Sequence, residues 1–303
     1  MISVWVPRFA CPDCHAAVDG DAGGASCGPC GHRFDRSGGV HRFITPARLG
    51  AAVPFLRQYR LVRERDGHRM TSPEYYRMLP CVAPDDPHAA EWRLRRESYA
   101  HLRSRALPAA GMGGVRVLDV GAGCGWLSHR LSLFGHRVVA VDRLDDAADG
   151  LGACRHYPVP FTAVQADFDA LPFEPGQFDL AVFTGSLHYS PDPAATLAEA
   201  ARTLAAGGAS AVMDSPMFAR EADGRAMVAD EDRRMQSEHG LTDVVRPGIG
   251  FLTFAAIERA FRSLGLTGRF FRSRGPMAWR ARRQLAWLRL GRAPAAFGVW
   301  VAQ

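Results

Sequence analysis

Lysine is absent from the 303 residues, so all 37 Lys+Arg positions are arginine, set against 31 Asp and Glu for a net charge of +6. With abundant Ala and Gly, this skew reads as GC-rich coding rather than selection for guanidinium chemistry. A basic balance can attract nucleic acid. Its densest stretch, Arg269 to Arg292, is interleaved with Phe270, Phe271, Trp279, Leu285, Trp287 and Leu288. That pattern reads as an amphipathic element whose arginine stems lie over apolar surface. No apolar run approaches the ~20 residues that span a bilayer. The N-terminus, Met1-Ile-Ser-Val-Trp-Val-Pro7, lacks the basic region and long apolar stretch of a signal peptide. A cytoplasmic chain with no membrane partner is the expectation. Hydrophobic content of 47% suits one full α/β domain plus a smaller module, able to bury a core without disulfides or oligomerisation.

The most informative run present is Val117-Leu-Asp-Val-Gly-Ala-Gly-Cys-Gly-Trp126. Val115, Val117, Leu118 and Val120 have the character of a parallel strand buried on both faces. Asp119 sits near the strand's end, and Gly121, Gly123 and Gly125 follow at every second position, where a backbone without Cβ turns sharply and admits a ligand closely. A second apolar strand, Arg137 to Val141, ends on Asp142. Open α/β sheets bind ligands outside the carboxyl ends of their strands, so Asp142 is placed to reach the two hydroxyls of a ribose. A nucleoside cofactor follows. Each piece alone has a plainer reading, since an Asp after a strand is often only a helix cap; the ordered set is what points to a site.

The spacing D-x-G-x-G-x-G, with Trp126 where a dinucleotide fingerprint has its third glycine, resembles motif I of the class I S-adenosylmethionine-dependent methyltransferases. The resemblance covers roughly residues 110–215. It implies a doubly wound, mostly parallel, seven-stranded Rossmann-like α/β sheet, and S-adenosylmethionine as cofactor. It also implies that Asp167 accepts from the adenine amino group with Phe168 beside the ring, and that Gln177 to Phe183 forms strand four, followed by Thr184 at the cofactor. A helix from Pro193 to Leu204 and the Ala206-Gly-Gly208 turn then lead into strand five, Ala209 to Asp214.

Cys11-Pro-Asp-Cys14 and Cys27-Gly-Pro-Cys30 are two Cys-x-x-Cys pairs, which bring four thiolates to the tetrahedron that Zn2+ accepts. His15 and His32 are alternative ligands. Disulfides are disfavoured in a reducing compartment, and so short a segment has almost no core of its own, so a structural Zn2+ would supply its folding free energy. The module resembles the N-terminal zinc ribbon of bacterial 23S rRNA guanine-N1 methyltransferases, and also the small zinc-containing activator subunit of tRNA and translation-factor methyltransferases.

The expected organisation is a zinc-ribbon module at 1–45, a helical cap at 46–110 and a methyltransferase domain at 111–303. Insertions near 216–250 and 275–294 read as lids. Tyr75 or Tyr76 of the cap is placed to contact the cofactor or to pack. Met217, Phe218, Met227, Met235 and His239 make the first insertion a Met-rich cover suited to an enclosed small acceptor. His188 is the first candidate for a general base, with Asp214 and Tyr189 behind it; a neutral pocket histidine is the competing reading. Methyl transfer to a small molecule, with specialised metabolism as the candidate setting, is the leading function. An rRNA or tRNA base methyltransferase and a non-catalytic cofactor-binding scaffold are the alternatives.

Overall fold

The computed structural model describes residues 5–20, 23–69, 72–107, 114–277 and 291–303, together with 280, 281, 285 and 287. Four short strands come first: β1 (Asp19–Gly20), β2 (Gly24–Ser26), β3 (Arg33–Ser37) and β4 (Val40–Arg42). A cap of three helices follows: α1 (Pro46–Arg65), α2 (Pro73–Met78) and α3 (Ala89–Ala106). Strands and helices then alternate: β5 (Arg116–Val120), α4 (Trp126–Leu133), β6 (Arg137–Asp142), β7 (Thr162–Gln165), β8 (Phe178–Thr184), α5 (Pro193–Thr203) and β9 (Leu204–Met213). The chain closes with β10 (Met217–Phe218), α6 (Glu221–His239), β11 (Leu252–Thr253), α7 (Phe254–Ser263), β12 (Gly268–Ser273) and β13 (Phe297–Ala302).

The strand order β7-β6-β5-β8-β9-β13-β12 is the expected doubly wound sheet, parallel from β7 to β9 and antiparallel through β13 and β12. Successive residues of β5 serve opposite faces. Val117 packs with Leu102, Trp126 and Leu127 of α3 and α4, whereas Leu118 packs with Leu197, Ile257 and Phe261 of α5 and α7. The helix starts follow from local chemistry. Asp192 accepts from the backbone N–H groups of Ala194 and Ala195 to cap α5, and the Thr253 hydroxyl accepts from Ala256 to cap α7.

The N-terminal module is built into this sheet rather than tethered to it. β4 pairs in parallel with β7, matching Val40 to Ala163 and Arg42 to Gln165, and β1 to β4 extend the sheet to eleven strands. β7 would otherwise present an open row of backbone donors and acceptors. Aromatic packing seals the junction: Phe43 stacks between Phe9 and Phe34 at centroid distances of 4.6 and 4.7 Å, and Phe9 reaches Phe173 of the core. The boundary expected at residue 45 is therefore a division of the chain and not of the packing.

Two further expectations are corrected. The 216–250 insertion is mainly the helix α6, with acidic Glu221 and Asp223 in its first turn and a left-handed Gly240 at its end. Met217 and Phe218 are buried in β10, which pairs with β11, and Met227 packs against the Phe218–Phe251 cluster, so these residues belong to the core. In the second insertion Met277, Leu285 and Trp287 are exposed instead of packed, while Phe270 lies against Trp300 and Phe271 against His101. Trp279 and Leu288 lie outside the described residues.

Because Phe43 joins module and core, Phe43→Ala is expected to destabilise the whole molecule by ~3–5 kcal/mol. Urea unfolding followed at both the N-terminal module and the central sheet should give one coincident transition; two separate transitions would contradict a shared core.

Candidate functional site

The chain runs from β5 to β6 and β7 on one side and returns to β8 on the other, so the sheet has its switch point between β5 and β8. Ligands of such sheets bind at the carboxyl ends of the strands there. The glycine loop lies at that point. Gly121 and Ala122 donate to the Val141 carbonyl at 2.8 and 3.0 Å. Gly121 has φ +74°, and a Cβ on it would stand 2.2 Å from the Ser186 Cβ, so no side chain fits. The Gly123 N–H donates to Asp142 Oδ2 at 2.8 Å, and the Leu144 N–H to Oδ1 at 2.8 Å. Burial raises the Asp142 carboxyl above its ordinary value, against the lowering effect of these N–H donors.

A cavity of about 170 Å³ opens over this loop, lined by Gly121, Gly123, Asp142, Phe168 and Thr184 of the sequence-predicted cofactor residues. Asp119, Gly125 and Asp167 stand behind its wall. Asp119 is fully buried and accepts from the hydroxyls of Ser128 (2.7 Å) and Thr184 (3.2 Å); burial pushes it up to about 6. Gly125 starts α4 in the left-handed region, as a helix-entry residue. Asp167 is held by the Arg143 guanidinium, whose Nε lies 2.7 Å from Oδ1, and Arg143 covers the Phe168 ring at 4.4 Å. Asp167 is thus linked to the cavity through Arg143, which lines it.

The cap forms the opposite wall with Tyr59, Arg63, Tyr75, Tyr76, Trp92 and Arg95. The sequence pointed to the two adjacent tyrosines. Tyr76 donates to the Ala148 carbonyl at 2.8 Å, and Tyr75 receives the indole N–H of Trp92 at 3.1 Å. Tyr59 shared the apolar spacing of α1, but nothing in the pattern singled out Arg63 or Arg95.

A second cavity of about 480 Å³ adjoins the first, and the two share Tyr59, His68, Arg95, Gly185, Tyr189 and Asp214. Its outer wall comes from α6 and the segment after it, through Met235, Leu241, Val244 and Arg246. Met235 is the expected cover residue that lines it, whereas the His239 imidazole points to Asp66 at 3.1 Å.

Asp214 follows β9 with φ +55°, a left-handed conformation that costs a non-glycine residue energy. Its Oδ1 accepts from Ser98 at 2.5 Å, while Oδ2 is buried without a hydrogen-bond partner among the described residues. Burial pushes this carboxyl up to about 7. His188 lines only the second cavity. Its Nδ1 lies 3.2 Å from the Ser215 hydroxyl and its ring packs on Tyr189. Burial, aided by Arg246, lowers it to about 3, which leaves it neutral near pH 7.

At the N-terminus the Sγ atoms of Cys11, Cys14, Cys27 and Cys30 lie within 4.8 Å of one another. Two equivalent turns present them: His15 N–H donates to Cys11 and Gly31 N–H to Cys27, and both donors have positive φ. His32 is engaged by Asp13 at 2.9 Å, and the four-thiol group includes neither His15 nor His32.

Residues 118–212 match the family model described as a methyltransferase domain. The ubiquinone biosynthesis O-methyltransferase of Bordetella bronchiseptica is 33% identical over 106 residues, which are 33% of this chain and 42% of that protein. The malonyl-(acyl-carrier protein) O-methyltransferase of Erwinia billingiae is 28% identical over 180 residues, 59% of this chain and 63% of that protein. The chain spans less than half the length of the first curated relatives it matches. An S-adenosylmethionine-dependent methyltransferase from Mesorhizobium loti aligns in structure with a TM-score of 0.48 at 20% identity, covering 68% of this chain and 97% of that one.

The raised Asp214 carboxyl gives stability a definite pH dependence. Its folded value, about 7, lies above the ordinary 3.8, so its contribution is complete below about pH 4 and is lost as pH rises towards 7. Asp214→Asn removes that loss. The thermal midpoint of the variant relative to the wild type should therefore climb between pH 4 and 8; a constant difference in midpoint would contradict the buried, raised carboxyl.

Proposed function

We propose that the chain is an S-adenosylmethionine-dependent methyltransferase acting on an oxygen of an enclosed small-molecule acceptor. The observation that carries this reading is the junction of the two cavities at Gly185, Tyr189 and Asp214. One cavity has the donors and acceptors for a nucleoside, and the other, about 480 Å³ and walled by side chains of α1, α3 and α6, has the size of a small acceptor.

The residues fit the cofactor. Each Asp142 oxygen already accepts one backbone N–H and keeps lone pairs for the ribose hydroxyls. Phe168, under the Arg143 guanidinium, offers a flat apolar face for the adenine ring. Asp167 acts as a positioning residue through Arg143. When bound, S-adenosylmethionine supplies an electrophilic methyl group on its sulfonium. The protein's main task is alignment, which alone supplies ~7–11 kcal/mol. The Phe55, Tyr59 and Tyr189 rings pack together where the cavities adjoin and would orient the acceptor. The unpartnered Oδ2 of Asp214 would take the proton of the acceptor hydroxyl, a role its value of about 7 suits. This ranks Asp214 above His188, which is too weak a base at about 3 and serves as wall. The O-methyltransferase names of the relatives favour the same acceptor atom.

The RNA reading loses support from the charges around the acceptor cavity. Arg63 is paired with Asp149, Arg234 with Asp66 and Glu238, and Arg246 with Asp232, so these guanidiniums are not free for phosphates. A small acceptor suits a setting in specialised metabolism. The four thiols fit a structural Zn2+ with no position left open. Asp13, between Cys11 and Cys14, holds Arg48 at 3.3 Å, and Arg48 also faces Asp167 and Asp169 at 3.7 and 3.4 Å. The metal module would in this way brace the Phe168 side of the cofactor cavity.

Calorimetry should detect S-adenosylmethionine binding, weakened ~10–100-fold in Asp142→Ala. In a panel of small hydroxylated acceptors, Asp214→Asn should lower turnover ~100-fold or more and abolish the rise of rate through pH 7. His188→Ala should keep most of the rate. Failure to bind the cofactor at all would sink the reading, and a salt-insensitive wild-type activity would separate it from RNA methylation.

A Cys14→Ser, Cys30→Ser double variant should purify without the zinc expected in the wild type, unfold at lower temperature and bind S-adenosylmethionine more weakly. Unchanged cofactor affinity in the metal-free, folded variant would refute the bracing role.

A further inference from the structure

Another group of metal-ligating side chains comes together at the edge of the larger cavity. His68 follows α1, where Gly67 (φ +72°) turns the chain away from the helix. His88 precedes α3 and Glu91 lies in its first turn, three residues on. The His68 and His88 rings stack with centroids 3.6 Å apart and planes 20° from parallel. With Glu91 they offer three donor atoms within 4.8 Å of one another. The His88 Nε2 is buried and has no hydrogen-bond partner among the described residues. His68 borders both cavities, and Glu91 borders the larger one.

We propose that His68, His88 and Glu91 bind a divalent first-row transition-metal ion whose remaining coordination positions face the larger cavity, where an oxygen of the acceptor completes the shell. Two imidazoles and a carboxylate suit Fe2+, Co2+, Ni2+ or Zn2+, whereas Mg2+ and Ca2+ favour oxygen ligands throughout. Metal–nitrogen bonds of ~2.1 Å would draw the donor atoms to ~3–3.5 Å apart, so binding would tilt the two stacked rings until their nitrogens converge on the ion. The cationic neighbours do not forbid an ion. Arg63 is held by Asp149 at 2.9 Å, Arg234 faces Asp66 and Glu238, and Arg95 lies over the Trp92 ring at 4.6 Å. The ion would orient an oxygen-bearing acceptor and increase the acidity of its hydroxyl. That role rests on the larger cavity being the acceptor site; occupancy by the metal does not.

The test uses the full chain loaded with one equivalent of Zn2+, titrated with Co2+ in the absence of acceptor and followed by equilibrium dialysis and visible absorption. One further Co2+ per chain is expected, with the d–d bands of a nitrogen and oxygen site and without the sulfur-to-cobalt band that marks exchange into the cysteines. His88→Ala and Glu91→Gln should each weaken this uptake at least ~10-fold. Glu91 is exposed, so its variant keeps the fold. Catechol, added as a bidentate oxygen probe, should then shift the cobalt bands. No uptake beyond the cysteines, or equal uptake in Glu91→Gln, overturns the site. Bands that ignore catechol overturn its open positions. Because uptake is read without acceptor or turnover, failure of methyl transfer leaves this result legible.

Discussion

A single buried carboxyl, Asp119, holds together the place where the sheet divides. It sits on β5, the strand from which the chain leaves in both directions, and it accepts from Ser128 of α4 and Thr184 of β8. Those bonds fix the helix that follows the glycine loop against the strand that returns on the other side of the switch point. The carboxyl is held at about 6 by the opposition of burial, which raises it, and its two hydroxyl donors, which lower it. A buried acid that gave up either donor would be left with an unpaired oxygen, a loss of ~1–3 kcal/mol. The cofactor cavity is therefore shaped from behind by a group that does not line it.

The same indirectness governs the far side of the cavity. The N-terminal module closes the open edge of β7, and its Asp13 shares Arg48 with the loop that carries Asp167 and Phe168. Arg48 is about one-third exposed, so each of its ion pairs is worth little alone, ~0–1 kcal/mol. Their value lies in registering three segments that are distant in sequence. Strand pairing supplies the stability, and the ion pairs supply the alignment.

The central sheet was legible because its signals are local. The apolar runs at 117–120 and 137–141 and the glycines after the first each report on a few adjacent residues, and β5 and β6 lie where those runs predict; the turn expected at 206–208 is instead part of β9, which starts at Leu204 and takes up Gly207 and Gly208 at a register shift against β8. Which acids face the ligand was less legible. Asp119, Asp142 and Asp167 all follow or end apolar runs, yet only Asp142 lines the cavity, because Thr184 and Arg143 claim the other two from elsewhere in the chain. The order proposed for Asp214 over His188 was equally hidden. It rests on burial, which raises the carboxyl and lowers the imidazole, and on Ser98, a partner 116 positions away from Asp214. The cap residues Arg63 and Arg95 carried no signal, since one arginine in an arginine-rich helix resembles the next.

The cap also shows what an arginine-only chain can do with its charge. α1 lies over the cofactor cavity and is tied to the loop after β6 by a row of guanidinium–carboxylate contacts, Arg60 to Asp146 at 3.0 Å and Arg63 to Asp149 at 2.9 Å. Asp146 in turn accepts from the N–H groups of Ala148 and Asp149, so the row is anchored in the backbone of the loop it grips. Planar guanidiniums make such forked contacts with less loss of freedom per bond than lysine would. The Asp149 side chain is only 3% exposed, and it is met by both Arg63 and Arg69, so this end of the row is shielded from salt while the Arg60 end is not.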